Sequence, residues 1–239
     1  MSAFSPISVS RLYRMIAAQI KEKIQDGSYR AGERLPSERE LAEKLTVSRP
    51  SVREALIALE IEGWVDVRVG TGVFVTGPEL RMNAGARDEA SSLTSEIGAA
   101  DLLQARLLIE PVCAELAARN ATPEQLEQMR QSIMALPHSG SPTTHNDTLH
   151  LLMAEASGNA ALASIVQHLW KLSEASAIFM KLNQHYVYDE VWEKAHVEHL
   201  ELLTALQKRR PKAARGAMHA HLIGISQRLG LDANDDKES

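Results

Sequence analysis

The chain has 239 residues, a length that suits one large domain or two ordinary ones. Hydrophobic residues make up 44% of it and aromatic residues only 4%, a balance that favours helices over sheets. The net charge of −5 is unlike that of a typical nucleic-acid-binding protein, and the one cysteine, Cys113, excludes an internal disulfide and fits a reducing compartment.

No segment predicts export or membrane insertion. The N-terminal stretch MSAFSPISVS lacks the charged and then apolar pattern of a signal peptide. No apolar run approaches the roughly 18–20 residues that are needed to span a bilayer. We therefore expect a cytoplasmic protein that does not enter the membrane.

The acidic side chains are concentrated in the C-terminal part. Residues 1–78 hold 11 basic and 10 acidic side chains, whereas the remainder holds 15 and 21. A near-neutral N-terminal segment can still bind DNA if its arginines share one face.

Two helices are predicted in the first 45 residues. The first covers residues 10–25, with apolar side chains on one face and an Asp-Gly pair at its end. The second begins after Ser37, which forms a capping-box pattern with Glu40, and it ends near Leu45.

A third helix and a hairpin follow. Ser48 can cap this helix, Pro50 is tolerated in its first turn, and Gly63 ends it. Alternating apolar residues then predict two strands, Trp64–Val69 and Gly72–Thr76, around a Gly-Thr-Gly turn.

This order of elements predicts a winged helix-turn-helix domain over residues 1–77, with the third helix in the major groove. Arg49 and Arg53 are four residues apart and share a face, and arginine suits bidentate contact with guanine or phosphate. The glycines of the wing allow close approach to the sugar-phosphate backbone. The candidate DNA-binding residues are Arg39, Ser48, Arg49, Ser51, Arg53, Arg68 and Gly70.

A simpler interpretation treats these arginines as solvated helix charges that pair with Glu38, Glu43 and Glu54. For any single arginine this interpretation stays open. The order of the helices, the spacing of the arginines and the wing together favour DNA binding.

The segment GERLPSERELAEKLTVSRPSVREALIALEIEGWVDVRVGTGVFV resembles the DNA-binding domain of the GntR family of bacterial transcription regulators. The resemblance covers about residues 10–76. It implies that Arg39, Arg49, Arg53 and Gly70 contact operator DNA.

The rest of the chain is predicted to be helical. Residues 78–97, rich in Gly, Ala, Ser and charge, read as a linker, and residues 232–239 as a disordered tail. Residues 98–231 show helical periodicity in six or so helices. One of them is expected to begin at Asp147, after a loop SGSPTTHN, and another to run without a break over residues 160–182.

Three histidines from three predicted helices face inward. His150 shares a face with Asn146, while His199 and His221 lie within or beside apolar stripes. A single inward histidine is usually a satisfied core residue, but three that converge, with one oxygen ligand, suit Zn²⁺ or another first-row divalent ion. The alternatives to Zn²⁺ are Ni²⁺ and Mn²⁺.

Residues 99–230 resemble the FCD domain, the all-helical ligand-binding domain of FadR-type GntR regulators. The matching pieces are LLQARLLIEPVCAELAA, LHLLMAEASGNAAL, EHLELLTAL and AARGAMHAHL. The fold implied is mainly α, with a winged helix-turn-helix domain followed by a helical bundle.

The FCD resemblance also implies a ligand set for the metal. An aspartate, a histidine four residues later and two further histidines match Asn146, His150, His199 and His221. Asparagine replaces the usual aspartate and brings no charge, so Asp147 is an alternative oxygen ligand. Arg106 matches an arginine that commonly faces the effector cavity, although a surface or interdomain ion pair stays open for it.

The function implied is a homodimeric transcription regulator, not an enzyme, that represses from a near-palindromic operator until a small carboxylate effector binds. DLLQARLLIE and VDVRVGTGVFV are most similar to regulators of hexuronate use, which suggests a sugar acid. Two other functions stay open. One is a metal-dependent hydrolase or lyase, which lacks a clear general base beyond Asp147 or Glu155, and the other is a metal sensor.

Overall fold

The computed structural model describes residues 12–79, 97–138, 140 and 142–232. Within them the protein is mainly helical with one two-stranded sheet, as the sequence predicts. The chain forms two compact units. Of the described residues, the first unit contains 12–79, 97–100, 175–186 and 230–232, and the second contains those within 101–174 and 187–229.

The predicted N-terminal helices are confirmed. Helix α1 covers Leu12–Gln25 and α2 covers Glu38–Leu45. The capping box is formed because the Ser37 hydroxyl accepts a hydrogen bond from the Glu40 amide, and the Glu40 carboxylate accepts one from the Ser37 amide. The residue after α2, Thr46, is left-handed with φ 56°, which turns the chain sharply toward the next helix.

Helix α3 covers Arg49–Ile61 and is capped by Ser48. The wing follows as an antiparallel pair, β1 (Val65–Arg68) and β2 (Gly72–Val75), in which Val65 is paired with Val75. Apolar side chains of α1, α3 and the wing form the core of this unit. The fully or nearly fully buried ones are Tyr13, Ile16, Ile20, Ile24, Val52, Ala55, Leu56, Leu59, Val65 and Val75.

The second half of the chain is entirely helical where it is described. Its helices are α4 (Ala99–Asn120), α5 (Pro123–Ala135), α6 (Pro142–Ala156), α7 (Ala160–Ala175), α8 (Ala177–Tyr186), α9 (Asp189–Gln207) and α10 (Pro211–Leu229), with a 3₁₀ turn at Leu136–His138. The core of the second unit is rich in small and sulfur-containing side chains, among them Cys113, Ala114, Ala117, Met129, Met153 and Met218.

Two expected helix boundaries are wrong. The helix expected to begin at Asp147 begins at Pro142, since proline is favourable in a first helical turn. The helix expected to run unbroken over residues 160–182 is interrupted at Ser176, whose hydroxyl accepts a hydrogen bond from the Phe179 amide and so starts α8. The apolar stripe continues across Ser176, so the pattern of apolar residues does not indicate the break.

Helix α8 packs within the first unit, against α3. Its buried side chains are Ile178, Phe179 and Leu182. Polar contacts accompany them: Glu60 of α3 lies 2.7 Å from His185 Nε2 and 3.6 Å from Lys181 Nζ. A helix from the second half of the sequence is therefore part of the first unit.

Most of the predicted linker, residues 80–96, and the predicted tail from residue 233 onward lie outside the described residues. Among the described helices, none is both long enough and apolar enough to cross a membrane.

Candidate DNA-binding surface and metal centre

The start of α3 presents the candidate recognition residues. The Ser48 hydroxyl accepts a hydrogen bond from the Ser51 amide at 3.4 Å, and the two hydroxyl oxygens are 2.9 Å apart. Arg49 is the first residue of the helix. The free amides of a helix N-terminus and its positive dipole end both favour a phosphate here.

Two further arginines are exposed and weakly tied. Arg39 on α2 is paired with Glu43 at 3.0 Å, with about two-thirds of its side chain exposed. Arg68 on β1 is paired with Asp66 at 2.8 Å and is also more than half exposed. Exposed ion pairs contribute little to stability, so either guanidinium can exchange its carboxylate for a phosphate at low cost.

The tip of the wing is open. Gly70 has a φ of 75°, and a Cβ at this position would meet no atom within 4 Å. The glycine is therefore required by the backbone conformation, since other residues are strained at positive φ. The bare backbone of this turn can approach a partner closely.

Arg53 lies in a different environment from the other candidates. Its Nε and Nη2 donate to the Glu38 carboxylate at 2.9 and 2.6 Å, and its side chain is 15% exposed. Its guanidinium also lies 5.2 Å from the centre of the Tyr186 ring. Gly230 packs against it so tightly that an added Cβ would fall 1.0 Å from Nη1. Arg53 thus connects α3 to α2 and to two segments from the second half of the chain.

Within the second unit the structure brings together His150 of α6, His199 of α9 and His221 of α10. All three are at most 1% exposed. One ligand atom from each lies within 4.8 Å of the others. The Nε2 atoms of His199 and His221 are 3.2 Å apart, and His150 Nε2 has no hydrogen-bond partner among the described residues.

Carboxylates bond to the outer nitrogens of two of these rings. Glu110 of α4 bonds to His150 Nδ1, and Glu198 of α9 lies 2.7 Å from His221 Nδ1. Arg228 donates to both oxygens of Glu198, at 2.8 and 3.0 Å.

Burial keeps two of the imidazoles neutral. It lowers the pKa of His221 to about 4, although Glu198 acts in the opposite direction. It holds the pKa of His199 well below 6.5, and His221 and His150 lower it further. Neutral imidazole is the form that binds a metal ion.

The paired carboxylates are ionised. Burial alone would raise the pKa of Glu110, but Arg106 and His150 outweigh it and bring that pKa to about 2. Burial opposes ionisation of Glu198 in the same way, and His221 and Arg228 bring its pKa to about 2.

The two candidate oxygen ligands lie beside the histidines. Asn146 is 8% exposed and one helical turn before His150, and its amide donates to Asp147 at 3.2 Å. Burial raises the pKa of Asp147. Among the described residues, the compact set of ligand atoms comes from the three histidines, without a carboxylate.

Arg106 is buried, not a surface residue. Its Nε donates to Glu110 at 2.7 Å, and its guanidinium stacks 3.9 Å from the centre of the Trp170 ring. Its Nη2 is buried without a hydrogen-bond partner in the described part of the chain. A buried unpaired guanidinium nitrogen is costly, so this donor is suited to an anionic ligand.

The arrangement fits a divalent metal ion. Three converging buried imidazoles are the donor set of Zn²⁺ sites that keep a position open, and carboxylates on the outer ring nitrogens are typical of such sites. The unpartnered His150 Nε2 agrees with this reading.

Sequence reasoning missed Glu110, Trp170, Glu198 and Arg228. Glu110 could have been found, because it follows Arg106 by four residues and a helix places the two side chains side by side. Glu198 is next to His199 in sequence, but its carboxylate bonds to His221 on another helix. No spacing in the sequence indicates this contact.

Comparisons with known proteins match both halves of the chain. Residues 12–75 match the model for bacterial regulatory proteins of the gntR family, and residues 101–224 match that for the FCD domain. The chain is 38% identical to the Uxu operon transcriptional regulator of Escherichia coli K12, over 97% of this chain and 92% of that protein. It is 35% identical to the Exu regulon transcriptional regulator of the same strain, over 95% and 88%.

Among solved structures, the chain is similar to Streptococcus agalactiae GntR, with 25% identity and a TM-score of 0.45, over 90% of this chain and 99% of that one. The two family models and the two curated relatives describe transcription regulators, not enzymes.

Proposed function

Because the chain belongs to the GntR family of bacterial regulatory proteins and carries an FCD domain, we propose that it is a cytoplasmic repressor controlled by a small acidic metabolite. DNA-binding regulation follows from the family. That the protein is a repressor, that it binds an effector and that it binds a metal ion are what we propose. In this proposal, the effector binds in the helical domain and lowers the affinity of the winged helix domain for its operator.

The proposed DNA contacts divide into two kinds. Arg49, with Ser48 and Ser51 beside it, reads base edges or phosphate from the start of α3. Arg39, Arg68 and the backbone at Gly70 are proposed to contact the phosphate backbone on either side.

Arg53 is also a proposed DNA contact, but its guanidinium is already engaged within the protein. Its guanidinium is bonded to Glu38 and lies over the Tyr186 ring, so to contact DNA it would have to release this carboxylate. We keep it as a proposed contact and expect a smaller direct contribution than that of Arg49.

The effector site is proposed around Arg106 and the three histidines. Two buried nitrogens carry this proposal. Arg106 Nη2 donates a hydrogen bond to no described protein atom, and His150 Nε2 has no hydrogen-bond partner among the described residues. A metal ion would bind His150 Nε2, and a carboxylate bound to that ion would accept a hydrogen bond from Arg106 Nη2. His150, His199 and His221 would hold the metal, Zn²⁺ foremost, with Ni²⁺ or Mn²⁺ as alternatives, and Asn146 or Asp147 would supply an oxygen.

The names of the two relatives support a sugar acid as effector. They are regulators of the Uxu operon and of the Exu regulon, and the segments DLLQARLLIE and VDVRVGTGVFV resemble regulators of hexuronate use. A hexuronate offers one carboxylate for Arg106 and the metal, and several hydroxyls for neighbouring polar groups.

Thermal melting tests the effector class, because a ligand that binds only the folded state raises the melting temperature. We expect D-glucuronate or D-galacturonate to raise the melting temperature of the Zn²⁺-loaded protein and to weaken operator binding. D-glucose, which lacks the carboxylate, should do neither. Substituting Arg106→Lys, which keeps the charge but loses the planar pair of donors, should reduce the response. Equal responses to glucose and glucuronate would contradict a carboxylate site.

Metal sensing is the second candidate, favoured by the histidine cluster itself. In that case Zn²⁺ alone changes operator affinity and the sugar acids add nothing. Titrating Zn²⁺ against operator binding, with and without D-glucuronate, separates the two.

A further inference from the structure

The carboxylates on Nδ1 of His150 and His221 determine which nitrogen of each ring is available to a metal ion. His150 and His221 each have a carboxylate on Nδ1, and each carboxylate also accepts a hydrogen bond from an arginine. A carboxylate paired with an arginine accepts hydrogen bonds and cannot donate them. Each of these rings must therefore carry its proton on Nδ1, which leaves the lone pair of a neutral ring on Nε2, facing the cluster.

His199 differs from the other two. Its Nδ1 is buried without a hydrogen-bond partner among the described residues, and its Nε2 lies 3.2 Å from His221 Nε2. The same short separation suits two nitrogens that bind one metal ion, so it does not fix where His199 carries its proton. Among the described residues no carboxylate holds the tautomer of His199, whereas the other two rings each have one.

Resting on the metal site of the proposed function, we propose that Glu110 and Glu198 are positioning residues that fix the tautomers of His150 and His221 for metal binding. The arginines complete this arrangement. Arg106 donates to Glu110 and Arg228 donates to Glu198, so each carboxylate is held in place from its far side. Partners of this kind usually change metal affinity by 10- to 100-fold when they are replaced.

Glu198→Gln is the sharpest test, because Glu198 is partly exposed and its replacement is tolerable for folding. Arg228 donates to both oxygens of Glu198 and His221 Nδ1 lies against one of them, but a glutamine has only one accepting oxygen, so it cannot satisfy all three donors. A neutral amide oxygen also holds the Nδ1 proton less strongly than a carboxylate does, so the preference of His221 for this tautomer weakens. The matched control is Glu201→Gln, an exposed glutamate one turn later on the same helix.

Two measurements are made on the full-length protein. The first is the ¹⁵N chemical shifts of the histidine rings in metal-free protein. We expect wild type and E201Q to hold His221 as the Nδ1-protonated tautomer, and E198Q to shift it toward Nε2. The second is Zn²⁺ affinity by competition with a chromophoric chelator, in which E198Q should bind 10- to 100-fold more weakly than E201Q.

Glu110→Gln should act on His150 in the same way, and its thermal melt establishes folding first because Glu110 is fully buried. Unchanged tautomers and unchanged Zn²⁺ affinity in E198Q would overturn the positioning role. If wild type itself fails to bind Zn²⁺, the metal site of the proposed function fails, while the ring shifts still test the tautomer assignment.

Discussion

Asn146 lies one helical turn before His150, at the position where the FCD resemblance implies an aspartate. Without that charge, the candidate metal centre consists of neutral donors, and its negative charges are on Glu110 and Glu198 behind the rings. A three-histidine set binds Zn²⁺ well without a carboxylate ligand. The asparagine would thus leave the donor set workable, and an ion bound there would be more positive toward the proposed anionic effector.

Replacing two of the histidines tests the metal centre directly. We expect His199→Ala combined with His221→Ala to remove stoichiometric metal from the purified protein, because one remaining imidazole cannot hold the ion. Elemental analysis measures it, and His219→Ala, an exposed histidine on α10, is the control. Equal metal content in the double variant and the control would count against the site.

Arg49 allows the matching test for DNA. We expect Arg49→Ala to weaken operator binding by about tenfold or more, since one good bidentate contact contributes about 1–3 kcal/mol of discrimination. Fluorescence anisotropy with labelled operator measures the affinity. Arg130→Ala, in an exposed ion pair on α5, should bind as wild type does. Operator affinity as high in the Arg49 variant as in this control would refute the recognition-helix assignment.

Helix boundaries in this protein depend on single capping groups. Ser37 and Glu40 start α2, and Ser176 separates α7 from α8. The second break bears on the proposed function, because α8 packs against α3 while α7 and α9, on either side in sequence, carry Trp170 and His199 of the proposed effector site. The element that joins these two helices in sequence therefore contacts the recognition helix.

Removing the α2 cap should loosen that helix. We expect Ser37→Ala to cost about 1 kcal/mol of local stability, because the hydroxyl satisfies an otherwise unpaired amide at the helix start. Hydrogen exchange of a peptide covering residues 38–45 should quicken by about fivefold. Thr148→Ala, at an exposed helical position without a capping role, should leave this exchange rate unchanged.

The protein as a whole divides into two compact units, the first of which carries the winged helix-turn-helix, and we propose that two copies of the chain form a two-fold dimer. Two winged helices related by a dyad would recognise half-sites one helical turn, about 10 base pairs, apart or at multiples of this spacing.

Operator spacing tests the dimer. Inserting 5 base pairs between the half-sites rotates one of them to the opposite face of the duplex, so we expect affinity to fall toward that of a single half-site. An insertion of 10 base pairs is the control for added length, and it should restore part of the affinity if the dimer can stretch. Equal binding to the original and the 5-base-pair operator would show that the two half-sites are recognised independently.

Local sequence patterns by themselves determined the N-terminal helices, their caps, the wing and the mainly helical second half, because caps, turns and periodicity act over a few residues. They also identified the three histidines as inward-facing. Only the tertiary structure decided that Arg106 and Glu110 pair inside the core, that Glu198 serves a histidine on another helix, and that Arg53 is bonded to Glu38. The contacts of Glu198 with His221 and of Arg53 with Glu38 join residues of different helices, so only packing brings them together. Helix spacing places Arg106 beside Glu110, but their burial depends on the helices packed around them.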